Sequence, residues 1–327
     1  MKKWFNFETA LLTLVLIVAV IALVCVLGKA NVPAMSDAVQ TTAPTETEPT
    51  ETQEVTEPTW LELPEDRELT AKQAFVYDCQ KEEFAFLKGE ITETVYPASI
   101  TKLFTAYVAL QYLPPDQQIT AGDALELVGV GSSVAEIQAG DVLTVQMLVE
   151  AMLLPSGNDA SYILAAEVGR ILEKDPTLGA WYAVDAFVAE MNKQAKDLGL
   201  TGTRFTNPDG YHDTDHYTNF ADMATIGKLA LDNETIMAYT KVKEDTVTFE
   251  SGKTKLWENT NALVNPATKY YCPIATGLKT GQTPSAGSCL LSSFEKDGKK
   301  YIIGVFGCPE IEDRFEDTLQ LLNNTLK

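Results

Sequence analysis

A serine and a lysine three residues apart are the first side chains in this sequence that could carry out a reaction. Ser99 and Lys102 lie within Tyr96–Thr105. A serine hydroxyl is a weak nucleophile until a neighbouring base accepts its proton. A lysine held in a low-dielectric site can lose its own proton and become that base. The pair therefore predicts nucleophilic catalysis, although the same spacing also fits a polar residue and a solvated lysine on a surface helix.

The residues around this pair have the pattern of a buried helix. From Ile100 onward, apolar residues recur every three or four positions, which is the spacing of a helix packed on a core. Pro97 suits the first turn, and the helix should end before Pro114 because residues preceding proline avoid helical backbone angles. We expect Ser99 at the helix N-terminus, with Lys102 one turn further along the same side.

Two later triplets make a catalytic role for this serine and lysine more specific. Ser156–Asn158 reads Ser-Gly-Asn in a loop between two predicted helices, and Lys279–Gly281 reads Lys-Thr-Gly at the start of a strand-like run. A glycine within a strand allows a ligand or another backbone to approach closely. Taken singly, the triplets fit a turn and the end of a surface strand. In the order Ser-x-x-Lys, Ser-x-Asn, Lys-Thr-Gly, the three motifs form the signature of penicillin-interacting serine enzymes.

These motifs carry a wider resemblance. From about Leu69 to the C-terminus, the chain resembles the serine-type D-alanyl-D-alanine carboxypeptidases, the low-molecular-mass penicillin-binding proteins of peptidase family S11. The segments that match are Tyr96–Lys102, Leu154–Ala160, Asn207–Gly210 with His216, Asn259–Asn261 and Gly277–Thr283. The resemblance implies the transpeptidase fold of serine β-lactamases and penicillin-binding proteins, an α+β fold in which an antiparallel sheet is flanked by helices and carries an inserted helical lobe.

The resemblance also implies catalytic roles. Ser99 would attack the carbonyl between two D-alanines, Lys102 would accept its proton, and Ser156 would relay protons. The backbone N–H groups of Ser99 and Gln282 would form the oxyanion hole. One difficult cleavage is thereby divided into two easier steps through an acyl-enzyme. No metal or cofactor is implied.

Four further positions would bind substrate by the same resemblance. Asn158 would hold the substrate amide. Lys279 and Thr280 would bind the terminal carboxylate, and Gly281 belongs to the same motif. The implied partners are peptidoglycan stem peptides, with β-lactam antibiotics as covalent inhibitors.

The secondary structure predicted from periodicity agrees with an α+β domain. Strands are expected near both ends of the domain, at Ala74–Tyr77, Glu83–Leu87, Cys289–Leu291 and Tyr301–Val305. Helices are expected at Leu143–Leu154, Asp159–Leu172, Trp181–Leu198, Phe220–Leu231 and Arg314–Leu326. We predict one sheet that contains strands from both ends, with the helices forming a lobe between them.

Composition excludes some functions. The formal net charge of −21 disfavours binding to nucleic acid, whose phosphates require a basic surface. The 5 cysteines include no Cys-x-x-Cys pair, which disfavours a zinc or thioredoxin-like site. We expect the 2 histidines, His212 and His216, to be structural. Disulfides between Cys289 and Cys308 or between Cys79 and Cys272 are compatible with the predicted elements, as are free thiols.

The N-terminal part has a different composition. An apolar run that is long enough to span a bilayer follows two lysines, which places the N-terminus in the cytoplasm. A cleaved signal peptide is the alternative. A Thr/Glu/Pro-rich stretch that cannot form a core comes next. We expect a cytoplasmic segment at residues 1–8, a transmembrane signal anchor at 9–28, a disordered linker at 29–66 and the catalytic domain at 67–327.

The sequence as a whole predicts a single-pass protein of the cell membrane with an extracytoplasmic catalytic domain. It would remove the terminal D-alanine from peptidoglycan stem pentapeptides and bind penicillin covalently. The chain after Gly281 is long enough for two strands and a helix, so we expect no second all-β domain. Alternatives are a D,D-endopeptidase, a β-lactamase or a non-catalytic sensor of wall peptides. The Glu-x-x-x-Asn sequence expected of a class A β-lactamase is missing between Asn158 and Lys279.

Overall fold

A computed structural model of the chain describes residues 60–61, 63–64 and 67–326. The predicted cytoplasmic segment, the predicted anchor and nearly all of the predicted linker lie outside these residues. Within the described ranges, no helix combines the length and the apolar composition that crossing a membrane requires.

The central element is a five-stranded antiparallel sheet with the strand order β2-β1-β9-β8-β7. Its strands are β1 (Gln73–Asp78), β2 (Glu83–Lys88), β7 (Ala275–Thr283), β8 (Gly287–Lys296) and β9 (Lys299–Cys308). The first hairpin of the domain therefore pairs with the last one, as predicted. The β8–β9 turn falls at Asp297-Gly298, where both residues have positive φ angles of 53° and 73°.

Alternate residues of the sheet enter two different cores. On β1, Phe75 packs on the larger core with the helical lobe, whereas its neighbour Val76 packs on the smaller core. Ile302 and Ile303 on β9 divide in the same way. This separation follows from the two-residue period of a strand. The sheet is thus covered by apolar layers on both faces.

Helices form these layers. The lobe and its neighbours contain α1 (Thr101–Ala109), α2 (Val145–Leu153), α3 (Asn158–Glu173), α4 (Ala180–Asp197), α5 (Phe220–Leu231) and α6 (Glu234–Thr240). The C-terminal helix, α7 (Asp313–Leu326), packs on the opposite face through Phe315, Leu319 and Leu322. The arrangement is the predicted one, a sheet flanked by helices with a helical lobe inserted between its strands.

Several short elements were not predicted. They are α6 and two small hairpins, β3 (Gln118–Thr120) with β4 (Val142–Thr144) and β5 (Glu244–Thr248) with β6 (Thr254–Glu258). In β5 and β6 the buried residues are Val247 and Trp257, and most of their neighbours are charged or hydroxylated. Strands with so few buried positions show little apolar alternation, so their sequences resemble loops.

The described cysteines are all free thiols, so neither disulfide forms. Cys308 is opposite Ser288 in the β8–β9 pairing, and Cys289 is the next residue along β8. Because adjacent strand residues face opposite sides, Cys289 enters the larger core and Cys308 enters the smaller one. Cys79 and Cys272 are divided between the two cores in the same manner.

Residues just before the predicted domain boundary also belong to the folded body. Trp60, Leu61 and Leu63 pack against the smaller core, and the Trp60 indole N–H donates a hydrogen bond of 2.6 Å to Asn323 Oδ1 on α7. Arg67 forms an ion pair of 2.6 Å with Asp317, also on α7. Packing on the C-terminal helix thus begins before residue 67.

Candidate active site

The turn that holds Ser99 differs from a regular helix start. Ala98–Ile100 form a single 3₁₀ turn, and α1 begins only at Thr101. Ala98 has a left-handed φ of 47°, which is an uncommon conformation for a residue with a side chain. Ser99 is half-buried and lies at the wall of a cleft. The hydroxyl therefore lies at the N-terminal side of α1, close to the predicted position.

Lys102 is fully buried and contacts the serine. Its Nζ donates hydrogen bonds of 2.8 Å to Ser99 Oγ and 2.7 Å to the backbone oxygen of Asp209. Burial lowers the pKa of Lys102 to about 8, because desolvation outweighs the attraction of Asp209 and Asp159. A substantial fraction of this lysine is therefore neutral at mildly alkaline pH, which a general base requires.

The Ser-Gly-Asn motif links two helices of the lobe. The last residue of α2 is Leu153, and Asn158 is the first residue of α3. Ser156 is buried and has a positive φ of 65°, and Asn158 lines the cleft. A carboxylate at the start of α3, that of Asp159, accepts backbone N–H bonds from Ala135 and Ile137 at 2.9 and 3.0 Å. These bonds attach the cleft-wall loop to the motif.

The Lys-Thr-Gly motif lies in the middle of β7, further along the strand than predicted. This strand forms one edge of the sheet. Lys279 is 1% exposed, and its Nζ is 3.3 Å from the backbone oxygen of Thr280 and 3.4 Å from Thr260 Oγ1. Desolvation, with repulsion from Lys102 and Arg314, holds the pKa of Lys279 well below its usual value. The site therefore favours an anionic ligand that would restore this charge.

Gly281 allows β7 to approach the serine turn. A Cβ atom at this position would lie 2.8 Å from the Pro97 oxygen and 3.2 Å from the Ser99 nitrogen. Gly210 makes a still closer approach, since its Cβ would lie 1.9 Å from the Ala98 oxygen. Backbone from both sides is thus packed against the nucleophile turn in a way that only glycine permits.

The motifs meet at one cleft of about 470 Å³. Ser99, Asn158 and Gln282 line it directly. The other predicted residues do not line the cleft: Lys102 is bonded to Ser99, and Lys279, Thr280 and Gly281 precede Gln282 on β7. Ser156 does not line it either; it is buried two residues before Asn158. The opposite rim is formed by the loop from Val130 to Ser133, and Tyr211 and His212 complete the wall.

Three polar residues of the site were not singled out from the sequence. Asp209 is buried and its backbone oxygen holds Lys102, whereas Thr260 Oγ1 is 2.6 Å from Thr280 Oγ1. Arg314 on α7 is 7% exposed, and its Nη1 lies 3.4 Å from the Gly281 oxygen. Asp209 and Thr260 fall within the matching segments quoted above, but no local pattern distinguishes Arg314.

The histidines occupy different places. His216 is 2% exposed, its Nδ1 accepts the Thr206 N–H at 3.2 Å, and its Nε2 is 2.8 Å from Thr101 Oγ1. Desolvation lowers the pKa of His216 to about 4, so this ring is neutral and joins the middle loop to α1. His212 stacks edge-on against Tyr96 at the cleft. Both contacts fit the structural role expected for the histidines.

No group of three or more His, Cys, Asp or Glu side chains in the described part of the chain has the geometry to hold a metal ion. The polar side chains that line the cleft include those of Ser99, Asn158 and Gln282, with the Lys102 amine bonded to Ser99 behind them.

Comparison with known proteins identifies relatives of this chain. The family model described as D-alanyl-D-alanine carboxypeptidase, Peptidase S11, matches residues 59–310. The carboxypeptidase DacF of Bacillus subtilis (strain 168) is 32% identical over 236 residues, which are 71% of this chain and 56% of that protein. The D-alanyl-D-alanine carboxypeptidase of Streptomyces sp. (strain K15) is 32% identical over 69% of this chain and 77% of that protein. The chain thus spans little more than half the length of DacF.

Solved structures give the same result. The crystal structure of the Streptomyces K15 DD-transpeptidase superposes with a TM-score of 0.71 at 28% identity, over 80% of this chain and 98% of that one. Penicillin-binding protein D2 of Listeria monocytogenes, in its ampicillin-bound form, has a TM-score of 0.64 at 27% identity, over 79% and 98%. The predicted penicillin-binding-protein fold is confirmed.

Proposed function

The chain belongs to the D-alanyl-D-alanine carboxypeptidase family, peptidase S11, and we propose that it is a serine D,D-carboxypeptidase of peptidoglycan stem pentapeptides. The observation that supports this most directly is the 2.8 Å contact between the Lys102 amine and the Ser99 hydroxyl at the wall of a cleft. A nucleophile and its base within hydrogen-bond distance are the geometric requirement for covalent catalysis.

In the proposed acylation step, neutral Lys102 accepts the proton of Ser99 as Oγ attacks the carbonyl of the penultimate D-alanine. The N–H groups of Ser99 and Gln282 stabilise the oxyanion. The C–N bond then breaks, and the departing D-alanine amine receives a proton by way of Ser156. In the second step, Lys102 accepts a proton from water as the water oxygen attacks the ester carbonyl. The ester C–O bond breaks, the shortened peptide leaves with a new carboxylate, and Lys102 passes the proton to Ser99 Oγ.

The terminal carboxylate would be bound on the β7 side of the cleft. The Thr260 and Thr280 hydroxyls lie 2.6 Å apart, and the Lys279 amine is near both. Arg314 adds a second buried cation behind the strand. A free α-carboxylate offers the negative charge that this cluster of donors is suited to accept, which supports an exopeptidase in preference to an endopeptidase. Asn158, at the opposite wall, would hold the amide of the preceding residue.

We propose that β-lactams acylate Ser99 as well. The likeness to a Listeria penicillin-binding protein in an ampicillin-bound form supports this proposal. The acyl-enzyme should be long-lived, because the sequence has no Glu-x-x-x-Asn between its second and third motifs. A fast turnover of penicillin would instead indicate a β-lactamase.

We also propose that residues 9–28 anchor the protein in the cell membrane, that residues 29–66 form a tether and that residues 67–327 form the extracytoplasmic catalytic domain. The apolar composition of the N-terminal run and the two preceding lysines support this placement. Release of the full-length protein by detergent, but not by high salt, would be the expected result of fractionation.

Transfer of the acyl group to an amine is a second candidate reaction. It is favoured by the superposition of this chain on 98% of the Streptomyces K15 DD-transpeptidase. Water and an amine would compete for the same acyl-enzyme. Adding glycine or isotopically labelled D-alanine as acceptor, and measuring the ratio of transfer product to hydrolysis product, separates the two outcomes.

The decisive experiment measures D-alanine release from a stem pentapeptide by the full-length protein in detergent. Wild type should release D-alanine, and Ser99→Ala should lower the rate by at least about 10³-fold while leaving the melting temperature unchanged. Undiminished release by Ser99→Ala would overturn the proposal. If neither protein is active, cross-linked dimers test the endopeptidase, and penicillin or peptide binding without turnover tests the sensor.

A further inference from the structure

We propose that a groove beside the catalytic cleft binds an N-acetylated sugar ring of the glycan to which the stem peptide is attached. This inference rests on the proposed function, because it assigns a site to the polymeric part of the same substrate. The α4 groove has a volume of about 210 Å³. One wall is a single face of α4, with Trp181, Val184, Asp185 and Val188 at helical spacing, and Leu127 and Tyr162 form the other.

The groove presents an aromatic surface to solvent. The Trp181 side chain is 71% exposed at the start of α4, although a tryptophan usually buries most of its large apolar area. An exposed indole beside the apolar side chains of Leu127 and Val184 offers a flat surface for the less polar face of a sugar ring. Such a combination of one aromatic wall and a few polar groups is typical of small-molecule sites.

Two polar groups of the groove have unused hydrogen-bonding capacity. In the described part of the chain, neither the Asp185 carboxylate nor the Tyr162 hydroxyl makes a side-chain hydrogen bond or an ion pair. Burial and the nearby Asp209 raise the pKa of Tyr162, so this phenol keeps its proton and can donate. One acceptor and one donor in the same groove match the hydroxyl and acetamido groups of an amino sugar.

Two segments of the chain pass from the α4 groove to the catalytic cleft. Asn207 lines the groove and Gly210 lines the cleft, and the Gly210 N–H donates a hydrogen bond of 2.8 Å to Asn207 Oδ1. On another loop, Leu127 lines the groove and Val130, three residues further on, lines the cleft. Three residues span at most about 11 Å, so the two sites are separated by no more than this distance along either segment.

This separation fits the proposed substrate. The sugar is attached at one end of the stem peptide, and the bond to be cleaved lies near the other end. A five-residue peptide spans at most about 17 Å when extended. A stem peptide whose last residues occupy the cleft could therefore place its sugar in the α4 groove without distortion of the peptide.

The groove fits a sugar better than the ammonium group of a stem-peptide side chain. Most of its lining is apolar, with Leu127, Val184 and Val188 near the exposed indole of Trp181. A cation held over that indole, next to the Asp185 carboxylate, is the competing occupant. The cationic peptide is nevertheless a distinct outcome that the experiment must resolve.

The first experiment measures binding of N,N′,N″-triacetylchitotriose, an oligomer of N-acetylglucosamine, to the full-length Ser99→Ala protein by calorimetry. Trp181→Ala is added to remove the stacking surface. Tyr182→Ala is the matched control, because Tyr182 is the next residue of α4, is 69% exposed and does not line the groove. We expect binding by the parent and the control, and at least about fivefold weaker binding by the Trp181→Ala protein, the size of an aromatic contact.

The second experiment compares two substrates in the active enzyme. Trp181→Ala should raise the ratio of KM for polymeric peptidoglycan to KM for the free pentapeptide by about fivefold, and Tyr182→Ala should leave this ratio unchanged. Asp185→Asn should weaken binding of the triose without altering the fold. A merely structural role of Trp181 would raise both KM values together.

Equal binding of the triose by the Trp181→Ala and parent proteins would overturn the inference, as would its absence from both. Binding of a lysine-containing peptide that is weakened by Trp181→Ala, without binding of the triose, would assign the groove to a cation. If wild type binds the triose but does not release D-alanine from the free pentapeptide, the proposed function fails while the sugar site remains.

Discussion

Two fully buried lysines belong to different motifs of the site, Lys102 on α1 and Lys279 on β7, and their surroundings differ. The Lys102 amine has the Ser99 hydroxyl and the Asp209 carbonyl within 2.8 Å, and two carboxylates attract its charge. The Lys279 amine has only oxygens of Thr260 and Thr280 at 3.3–3.5 Å, and its charged neighbours are cations. Equal burial thus lowers both pKa values, but only Lys102 has nearby carboxylates to oppose the shift.

This difference indicates different tasks for the same residue type. Lys102 contacts the nucleophile and titrates near working pH, as a base must. Lys279 lacks a carboxylate partner, so the charge that would stabilise its ammonium form has to arrive with the substrate. One lysine therefore acts on a proton, and the other would act on an anion.

The largest expected effect is the loss of activity when Lys102 is replaced by arginine, and the same replacement of Lys279 is the comparison. Arginine keeps the charge but cannot lose its proton at working pH. Lys102→Arg should lower kcat/KM by about 10³-fold or more, because the base is lost. Lys279→Arg should lower it by about tenfold, mainly through KM, because a cation remains. Steady-state kinetics on the pentapeptide would measure both, and equal losses would contradict the division of tasks.

A second prediction concerns the contact between β7, which carries Lys279, and the turn that carries Ser99. Gly281→Ala would place its Cβ 2.8 Å from the Pro97 oxygen, so β7 must move away from the Ser99 turn. We expect kcat/KM to fall by about 10²-fold, since small displacements of catalytic groups have large effects. Gly179→Ala is the control, because its Cβ would meet nothing within 4 Å. If the two variants had equal activity, the close approach would not matter for catalysis.

The pH profile of kcat/KM provides a third test. Only neutral Lys102 can accept the Ser99 proton, and the pKa of Lys102 is lowered to about 8. In Lys279→Arg, whose cation does not titrate, kcat/KM should therefore rise about tenfold per pH unit below about pH 8 and level off above it. In wild type the rise should be shallower, because deprotonation of free Lys279 opposes it. An inflection at about pH 10, the ordinary range of a lysine, would show that Lys102 is not the base.

Binding of a carboxylate next to Lys279 should raise the pKa of that amine, so the amine takes up a proton when substrate binds. Affinity of the Ser99→Ala protein for the pentapeptide should then fall as the pH rises, and calorimetry in buffers of different ionisation enthalpy should detect proton uptake. Lys279→Arg should bind without this uptake. If the Lys279→Arg protein still takes up a proton when the pentapeptide binds, the proton goes to another group.

The smallest expected effect concerns a buried carboxyl outside the site, and it tests whether a like-charged neighbour raises a pKa as Asp209 and Asp159 oppose the lowering at Lys102. Glu150 on α2 is buried near Asp245, and desolvation with this like charge raises its pKa to about 8. The folded state thus binds a proton that the unfolded state releases above pH 4.5, so this group lowers stability as the pH rises towards 8. Glu150→Gln should stabilise the protein by about 1–2 kcal/mol at about pH 9 and by little at about pH 5. Thermal melts at both values would show it, and a pH-independent change would contradict it.

Much of the fold could be predicted because its signals are local. The strands around residues 75 and 303 and the helix from Phe220 to Leu231 follow from periodicity, and the last of these has the predicted boundaries. The cysteines show the limit of such reasoning. Cys289 and Cys308 lie on paired strands, but a register offset of one residue sends them to opposite faces, and register is set by long-range pairing.

The sequence by itself determined which reactive residues exist, their order and the elements that carry them, because residue type, spacing and periodicity are properties of short segments. The tertiary structure decided that Arg314 lies behind Gly281, that Asp209 holds Lys102, and that two lysines of equal burial differ in their neighbours. Desolvation and Coulomb interactions depend on groups that are distant in the chain and adjacent only after folding. For this reason the sequence predicts the reaction, whereas the pKa values of the two lysines depend on the folded structure.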